Sequence, residues 1–379
     1  MHQSKRIRVL SVFGTRPEAI KMAPVCQELQ KHPEIIESRV CVTGQHREML
    51  DQVLRLFDIQ PDYDFNVMRP NQDLSHLTSH MINKMSALVR KLKPDWIFIQ
   101  GDTTTVLVAS LVAFYHKVNV AHVEAGLRTG NKHSPFPEEI NRRVADLLSD
   151  LYFASTEKAK QHLLMEGVPA EAIVVTGNTV IDALLQVAIK PYDWSSSPLA
   201  ELPVNKKIIL VTAHRREHFG APFHNLCRAL QALARENREN VHIVYPVHLN
   251  PNVQKPVQEW LAGYSNISLI KPMEYYDLIH LMKKSYLILT DSGGIQEEAP
   301  SLGKPVLVLR DATERMEAIE AGNALLVGTD TANIIKEASR LLNNKADYEK
   351  MARVNHLYGD GSAAKRIVNT LLKKSFLTK

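Results

Sequence analysis

Acidic side chains follow strand-like stretches in the first half of the chain. Asp102 comes two residues after an apolar run that ends at Gln100, and Glu138 opens a later helical stretch. Glu124 lies where an apolar run ends in glycine, a place where acidic residues are rarely found for solubility alone. Carboxylates near an anionic ligand repel one another, which raises the pKa of at least one and suits general acid–base chemistry.

Simpler roles remain open for two of these acids. Asp102 is suited to cap the helix predicted after it, because aspartate is a favoured residue at helix starts. Glu138 and Arg142 are four residues apart, so they share one helical face and could form a surface ion pair.

A glycine turn in the second half predicts a phosphate site. Residues 290–298 read TDSGGIQEE, so a strand ends near Ser292, Gly293 and Gly294 form a tight turn, and a helix begins. Free backbone N–H groups and the positive helix end favour a phosphate there. Glu298 lies one turn into the helix, where its carboxylate could accept both hydroxyls of a ribose.

Basic groups at other strand ends also suit an anionic ligand. Arg16 follows the first strand and offers a planar guanidinium, although a plain helix start is the alternative interpretation. Lys21 lies on the same predicted helix, and Arg315 follows a later strand. His214 suits phosphate or sugar binding or proton transfer. Its four-residue spacing from His218 lacks the acidic residue of a zinc-protease helix, so we predict no metal.

The stretches that position these groups alternate between strands and helices, which is typical of βαβ units with parallel sheets. The predicted strands are residues 8–13, 40–43, 96–100, 118–123, 151–154, 173–176, 207–212, 241–247, 267–270, 286–290 and 305–309. Ligands of open parallel sheets bind at the carboxyl ends of the strands, so we expect the polar motifs to gather there.

Length and loop composition predict two such domains. The 379 residues exceed the roughly 250–300 at which single cores divide. Pro, Ser and Asp are concentrated near residues 191–198, which indicates a linker. We therefore predict an α/β protein of two Rossmann-like domains with parallel sheets, at residues 1–187 and 205–360, joined by a linker at 188–204. The active site is expected in the interdomain cleft.

Composition argues against several other classes of protein. The net charge of +5 comes from mixed charges without a long basic run, so no nucleic-acid partner is expected. No apolar run approaches the roughly 20 residues of a membrane helix, and no signal peptide is recognisable. A cytoplasmic location without a membrane partner is therefore expected. Neither G-x-G-x-x-G nor a Walker motif occurs, which predicts no dinucleotide cofactor.

Seven motifs in order resemble the non-hydrolysing bacterial UDP-N-acetylglucosamine 2-epimerase family. They are GTRPEAIKMAP (14–24), GDTTT (101–105), HVEAGLRTG (122–130), PFPEE with Asn-Arg (135–142), TAHRRE (212–217), YPVHLNP (245–251) and TDSGGIQEEAPSLGKPVLVLRD (290–311). The resemblance extends from about residue 7 to about residue 366. It implies a glycosyltransferase-B architecture, a final helix at about 361–379 that packs on the first domain, and a homodimer.

The resemblance also implies an activity without NAD or metal. The family interconverts UDP-N-acetylglucosamine and UDP-N-acetylmannosamine by anti elimination of UDP to 2-acetamidoglucal and re-addition, which supplies cell-surface polysaccharide synthesis. The implied catalytic residues are Asp102, Glu124, Glu138 and His214. The implied substrate and UDP ligands are Arg16, Lys21, Arg142, Ser292, Gly293, Gly294, Glu298 and Arg315, with His214 also placed near UDP.

Some family members require a second substrate molecule as an allosteric activator. The residues that match that site are Gln45, His46, Arg216 and His248, together with Glu138. Three other functions remain open: a glycosyltransferase of the same architecture, a hydrolysing epimerase and a non-catalytic nucleotide-sugar sensor. Retention of all three carboxylates argues against the sensor.

Overall fold

The computed structural model describes residues 6–44, 47–68, 72–203 and 205–377. Gln45 and His46, two of the predicted allosteric residues, lie outside these ranges. The chain forms two compact units. Unit 1 contains the described residues up to Leu185 together with those from Tyr358 onward, and unit 2 contains Gln186–Leu357.

Unit 1 is built on a parallel sheet. In the described part of the chain its strands are β1 (Ile7–Phe13), β2 (Ile36–Val42), β3 (Tyr63–Asp64), β4 (Trp96–Gln100), β5 (Asn119–Ala125), β6 (Leu151–Ala154) and β7 (Ile173–Val175). Their order across the sheet is β3-β2-β1-β4-β5-β6-β7, so β1, β4 and β5 are neighbours. The loops that carry the predicted acids therefore leave adjacent strands.

Unit 2 is also built on a parallel sheet. Its strands, among the described residues, are β8 (Lys207–Thr212), β9 (Val241–Pro246), β10 (Ile267–Ile270), β11 (Leu287–Thr290), β12 (Val306–Val308) and β13 (Ala324–Leu326). They pair in parallel in the order β10-β9-β8-β11-β12-β13, which puts β8 beside β11. The predicted fold class of two parallel-sheet Rossmann-like domains is confirmed, and β3 and β13 are strands that the sequence analysis missed.

Helices connect the strands in both units. In chain order they are α1 (Arg16–Gln30), α2 (Arg47–Leu56), α3 (Leu74–Leu92), α4 (Thr104–Tyr115), α5 (Glu138–Leu147), α6 (Glu157–Met165), α7 (Thr179–Ala188), α8 (Ala221–Glu236), α9 (Pro251–Leu261), α10 (Tyr275–Lys284), α11 (Gly293–Ser301), α12 (Met316–Glu320), α13 (Thr331–Asn343), α14 (Lys345–Met351) and α15 (Ala363–Leu377). None of the helices in the described ranges combines the length and apolar character that a membrane crossing requires.

The chain returns to unit 1 just before α15. The Asp182 carboxylate on α7 accepts hydrogen bonds from the backbone N–H groups of Ala363 (3.2 Å) and Ala364 (2.9 Å). These are among the N–H groups that a helix start leaves without an intrahelical partner, so Asp182 caps α15. The buried side chains of Val368 and Leu371 complete the contact between α15 and unit 1.

Candidate active site

A buried glutamate organises the loop after β1. Glu18 Oε2 accepts the backbone N–H groups of Gly14 (3.0 Å) and Thr15 (2.7 Å), while its Oε1 accepts the Thr103 hydroxyl (2.6 Å). The first pair of bonds closes the amino end of α1 in the manner of a capping box. Burial raises the pKa of Glu18. The third bond ties this loop, where Arg16 begins α1, to the loop after β4.

Asp102 lies on the loop after β4 and pairs with Arg142. The Arg142 guanidinium donates to the Asp102 carboxylate through Nη2, and its Nη1 lies 3.4 Å from Glu139 Oε2. Asn141 also donates its side-chain amide to the Asp102 carbonyl, at 2.9 Å. The structure thus turns Arg142 toward Asp102 and Glu139, while Glu138 occupies the first, half-buried position of α5.

The simpler interpretation, in which Asp102 caps the helix that follows it, is wrong. Thr103 is the N-cap of α4. The Asp102 side chain is therefore available for its contact with Arg142 rather than for capping.

Glu124 lies in a bulge at the carboxyl end of β5. The register with β6 shifts between Val123 and Ala125, and Glu124 has a φ of 66°, which is uncommon for a residue with a side chain. Its buried carboxylate lies 2.7 and 2.6 Å from the Lys21 ammonium. Lys21, predicted to bind UDP, is thus the counterion of Glu124 in this structure.

Two amides also bond the Glu124 carboxylate. Asn178 donates to Oε1 at 2.7 Å, and Gln100 donates to Oε2. Both residues follow or end strands of unit 1, but the sequence analysis assigned neither to the site. Lys21, Asn178 and Gln100 all act as donors to Glu124, and an ionised carboxylate can accept each of them.

Behind these loops lies a buried network of charges. His122 on β5 bonds Asp146 through Nδ1 (2.6 Å) and the Gly101 carbonyl through Nε2 (2.8 Å). Arg128 donates to the other Asp146 oxygen at 2.7 Å. Burial raises the pKa of Asp146, but the neighbouring His122 and Arg128 lower it by more than burial raises it. The pKa therefore lies below its ordinary value. The network fixes the backbone immediately before Asp102.

In unit 2, the fully buried Asp291 joins the loops after β8 and β11. Its Oδ2 accepts the backbone N–H groups of His214 and Arg215, each at 2.8 Å. His218 Nδ1 lies 3.4 Å from the same oxygen. Burial raises the pKa of Asp291, but the bonds with His218, Arg215 and His214 outweigh burial and hold the pKa below its usual value.

Two predicted site histidines of unit 2 stack on one another. The rings of His214 and His248 are nearly parallel, with centroids 5.2 Å apart. Arg216 lies exposed in the short 3-10 turn formed by Arg216–His218. The structure therefore brings a predicted catalytic residue, His214, into contact with a predicted allosteric one.

The glycine turn lies against a guanidinium. Ser292 is the N-cap of α11, and a Cβ at Gly293 would stand 2.9 Å from Arg315 Cζ, so a side chain at this position would displace the guanidinium. Arg315 Nε donates to Glu297 at 2.9 Å, and its Nη1 pairs with Glu314. Burial raises the pKa of Glu314, but its neighbouring arginines, led by Arg315, lower it to about 2. Two carboxylates thus position Arg315 beside the turn.

Glu298, predicted to bind ribose, is buried one turn into α11. Tyr275 donates its hydroxyl to Glu298 Oε1 at 2.6 Å. A Cβ at Gly294 would lie 3.9 Å from the other oxygen, Oε2. The sequence analysis missed Tyr275, which comes from α10 and orients the glutamate.

Each unit therefore gathers its own predicted residues. Unit 1 combines Asp102 with Arg142 and Glu124 with Lys21, and unit 2 combines His214 with His248 and the glycine turn with Arg315. Among the described residues, no cluster of three or more His, Cys, Asp or Glu side chains has an arrangement that could hold a metal ion.

Known proteins resemble this chain over almost its whole length. Residues 27–372 match the family model for UDP-N-acetylglucosamine 2-epimerase. The UDP-N-acetylglucosamine 2-epimerase of Yersinia pestis is 54% identical over 371 residues, which are 96% of this chain and 98% of the relative. The crystal structure of UDP-GlcNAc 2-epimerase from Neisseria meningitidis bound to UDP-GlcNAc has a TM-score of 0.90 and 52% identity, covering 97% of this chain and 100% of that one. The S. aureus MnaA–UDP co-structure has a TM-score of 0.89 and 46% identity, covering 98% and 97%.

The Asp291 contacts generate a prediction about stability. We expect Asp291→Asn to lower the free energy of unfolding of unit 2 by about 1.5–3 kcal/mol at pH 7, because an uncharged amide oxygen bonds the donors at the Oδ2 position less strongly than the ionised carboxylate does. A carboxyl whose pKa is depressed in the folded state stabilises at neutral pH and loses that contribution as the pH falls through its folded pKa. The difference from the unmutated protein should therefore shrink below about pH 4.

Urea unfolding at several pH values, followed by tryptophan fluorescence, measures this difference. Trp194 and Trp260 both report on unit 2. The matched control is Asp330→Asn, since Asp330 caps α13 and asparagine caps about equally well. The stabilising role of the Asp291 carboxylate would be contradicted if Asp291→Asn and Asp330→Asn lowered the free energy of unfolding equally. It would also be contradicted if the loss in Asp291→Asn were the same at every pH.

Proposed function

The chain belongs to the UDP-N-acetylglucosamine 2-epimerase family. On this premise we propose which of its side chains bind the substrate of the isomerase reaction and which transfer protons. The substrate is UDP-N-acetylglucosamine, whose configuration at C2 is inverted reversibly to that of UDP-N-acetylmannosamine. The observation that carries the proposal is a pair of ion pairs at the carboxyl ends of the adjacent strands β4 and β5, Asp102 with Arg142 and Glu124 with Lys21.

The difficulty of the reaction lies at C2. Its hydrogen is not adjacent to a carbonyl group, so direct removal and return of the proton is hard. In the proposed route the C2 proton is removed while the C1–O bond to UDP breaks, and the electron pair forms the C1=C2 bond of 2-acetamidoglucal. A proton then adds to the opposite face of C2, and a UDP oxygen returns to C1.

Unit 2 is proposed to bind and stabilise UDP. The N–H groups that begin α11 and the Arg315 guanidinium suit a diphosphate whose negative charge grows as it leaves C1. Glu298, oriented by Tyr275, is a suitable acceptor for the ribose hydroxyls. His214, held through its backbone by Asp291, is proposed to donate to the phosphate or to carry a proton.

Unit 1 is proposed to carry out the proton transfers. Asp102, Glu124 and Glu138 are the candidate acid–base groups, and two of them have a fixed cationic partner. An ionised carboxylate accepts a proton and a protonated one donates it, so a carboxyl group can serve either step. We assign no separate roles to the three acids, because epimerisation is reversible and each group must act as acid in one direction and base in the other.

We expect Asp102→Asn, Glu124→Gln and Glu138→Gln each to lower turnover by at least about 100-fold, since positioned acid–base groups contribute about 10²–10⁴-fold. UDP affinity, measured by calorimetry, should remain within a few-fold. Turnover is measured by NMR of the two epimers.

The control for this set is Glu157→Gln, whose side chain is 71% exposed in unit 1. It should leave turnover unchanged. Near-normal rates in all three carboxylate variants would refute the assigned chemistry, and a parallel loss of UDP binding would indicate that the acids serve binding instead.

Allosteric activation by the substrate is a further part of the proposal. The stacking of His248 on His214 supports it, because a ligand that contacts His248 could move the neighbouring His214 ring. The exposed Arg216 follows His214 closely in the chain and offers a guanidinium to a second diphosphate. Gln45 and His46 complete the proposed residue set but lie outside the described residues.

If this proposal is right, rates with UDP-N-acetylmannosamine alone rise sigmoidally, and traces of UDP-N-acetylglucosamine make them hyperbolic. Arg216→Ala should remove the response to the traces. Activation would be ruled out if the rate depended hyperbolically on UDP-N-acetylmannosamine concentration and did not change when UDP-N-acetylglucosamine was added. A homodimer, a cytoplasmic location and supply of surface-polysaccharide synthesis stay predictions from the family resemblance.

A further inference from the structure

Two hydrogen bonds determine the orientation of the Asn178 side chain. Its Oδ1 accepts the backbone N–H of Val180 at 3.0 Å, and its Nδ2 donates to Glu124 Oε1 at 2.7 Å. A backbone N–H can only donate, so the oxygen must face Val180 and the amino group must face Glu124. The amide is thus locked between the start of α7 and the proposed acid–base group.

The backbone of Asn178 is held in turn by the returning chain. Its N–H donates to the Tyr358 carbonyl at 2.5 Å. The preceding residue, Gly177, has a φ of 85°, and a Cβ there would stand 2.9 Å from Gly359 Cα. The two backbone segments are therefore in direct contact, and this contact lies where the chain re-enters unit 1.

Glu124 depends on such partners for its position. Its backbone conformation is left-handed and lies in a bulge, so regular β5 geometry does not direct the side chain. Asn178 and Lys21 bond Oε1, while Gln100 and Lys21 bond Oε2. One amide on each oxygen fixes the rotation of the carboxylate plane, which the single ammonium group cannot do alone.

We propose that Asn178 is a positioning residue that orients the Glu124 carboxylate for proton transfer and takes its own position from the returning segment at Tyr358. The inference rests on the proposed proton-transfer role of Glu124. Asn178 is then the side chain through which the carboxyl-terminal part of the chain influences the reaction.

Asn178→Asp and Asn178→Ser test the proposal, because both retain an oxygen that can cap α7. We expect each to lower kcat by about 10–100-fold with KM within about 3-fold, the pattern of a group needed mainly in the transition state. In Asn178→Asp, the acidic limb of the pH profile should also move to higher pH, since an added negative charge favours the protonated form of a neighbouring carboxyl. Asn178→Ser loses the amide donor but adds no charge, so it should move that limb less than Asn178→Asp does.

Two controls separate positioning from folding. Asn344→Asp makes the same exchange at the N-cap of α14, where the side chain accepts the Asp347 N–H at 3.1 Å, and should leave kcat and the pH profile unchanged. In a Glu124→Gln background, adding Asn178→Asp should change the residual rate less than about 2-fold, because a residue that acts through Glu124 has nothing left to position.

The possible outcomes distinguish this inference from the proposed function. Normal kcat in both Asn178 variants, with Glu124→Gln inactive, would overturn the inference and leave the proposed function intact. An equally large effect of Asn178→Asp with and without Glu124 would also overturn it, since the effect would then be structural. Near-normal activity of Glu124→Gln would instead refute the proposed role of Glu124.

Discussion

The buried ion pair between Glu124 and Lys21 is the interaction on which the proposed chemistry depends. Removing a carboxylate from water is costly unless a cation and further donors compensate it. This requirement explains the features around it: a bulge and a left-handed residue direct the side chain inward, and two amides bond the carboxylate. The order of the sheet supplies the rest, because β4 lies between β1 and β5 and brings their loops together.

Unit 2 applies the same principle to a different purpose. Asp291 is also a buried carboxylate at a strand end, but backbone N–H groups of the loop after β8 are its main partners. It therefore shapes a loop instead of offering a reactive oxygen. Arg315 is held by two other carboxylates beside the glycine turn, so the guanidinium is pre-positioned for an anion.

Local pattern was sufficient to predict most of the fold. Apolar runs followed by amphipathic stretches identified the strands of both sheets, with ends within a few residues of those observed. β3 was missed because its two residues, Tyr63 and Asp64, form no apolar run. β13 was missed although β7 and β12, strands of the same three-residue length, were predicted. The predicted site residues came from motifs at strand ends, which is where parallel sheets place ligand contacts.

The supporting residues could not be predicted in this way. Asn178 and Glu124 are 54 residues apart, and Asp291 bonds a residue 77 positions away, so neither contact has a local signal. Glu18 is the exception, since a glutamate three residues after Thr15 is the spacing of a capping box. Its bond to Thr103, across 85 residues, was again beyond the reach of local pattern.

In the proposed route the C2 proton leaves the sugar while UDP departs, and a proton from solvent replaces it. NMR of UDP-N-acetylglucosamine incubated with the protein in D2O, without an acceptor, measures this exchange. Elimination and re-addition should place deuterium at C2 of both epimers, at a rate that keeps pace with epimerisation. Epimerisation that retains the original hydrogen at C2 would contradict elimination and re-addition.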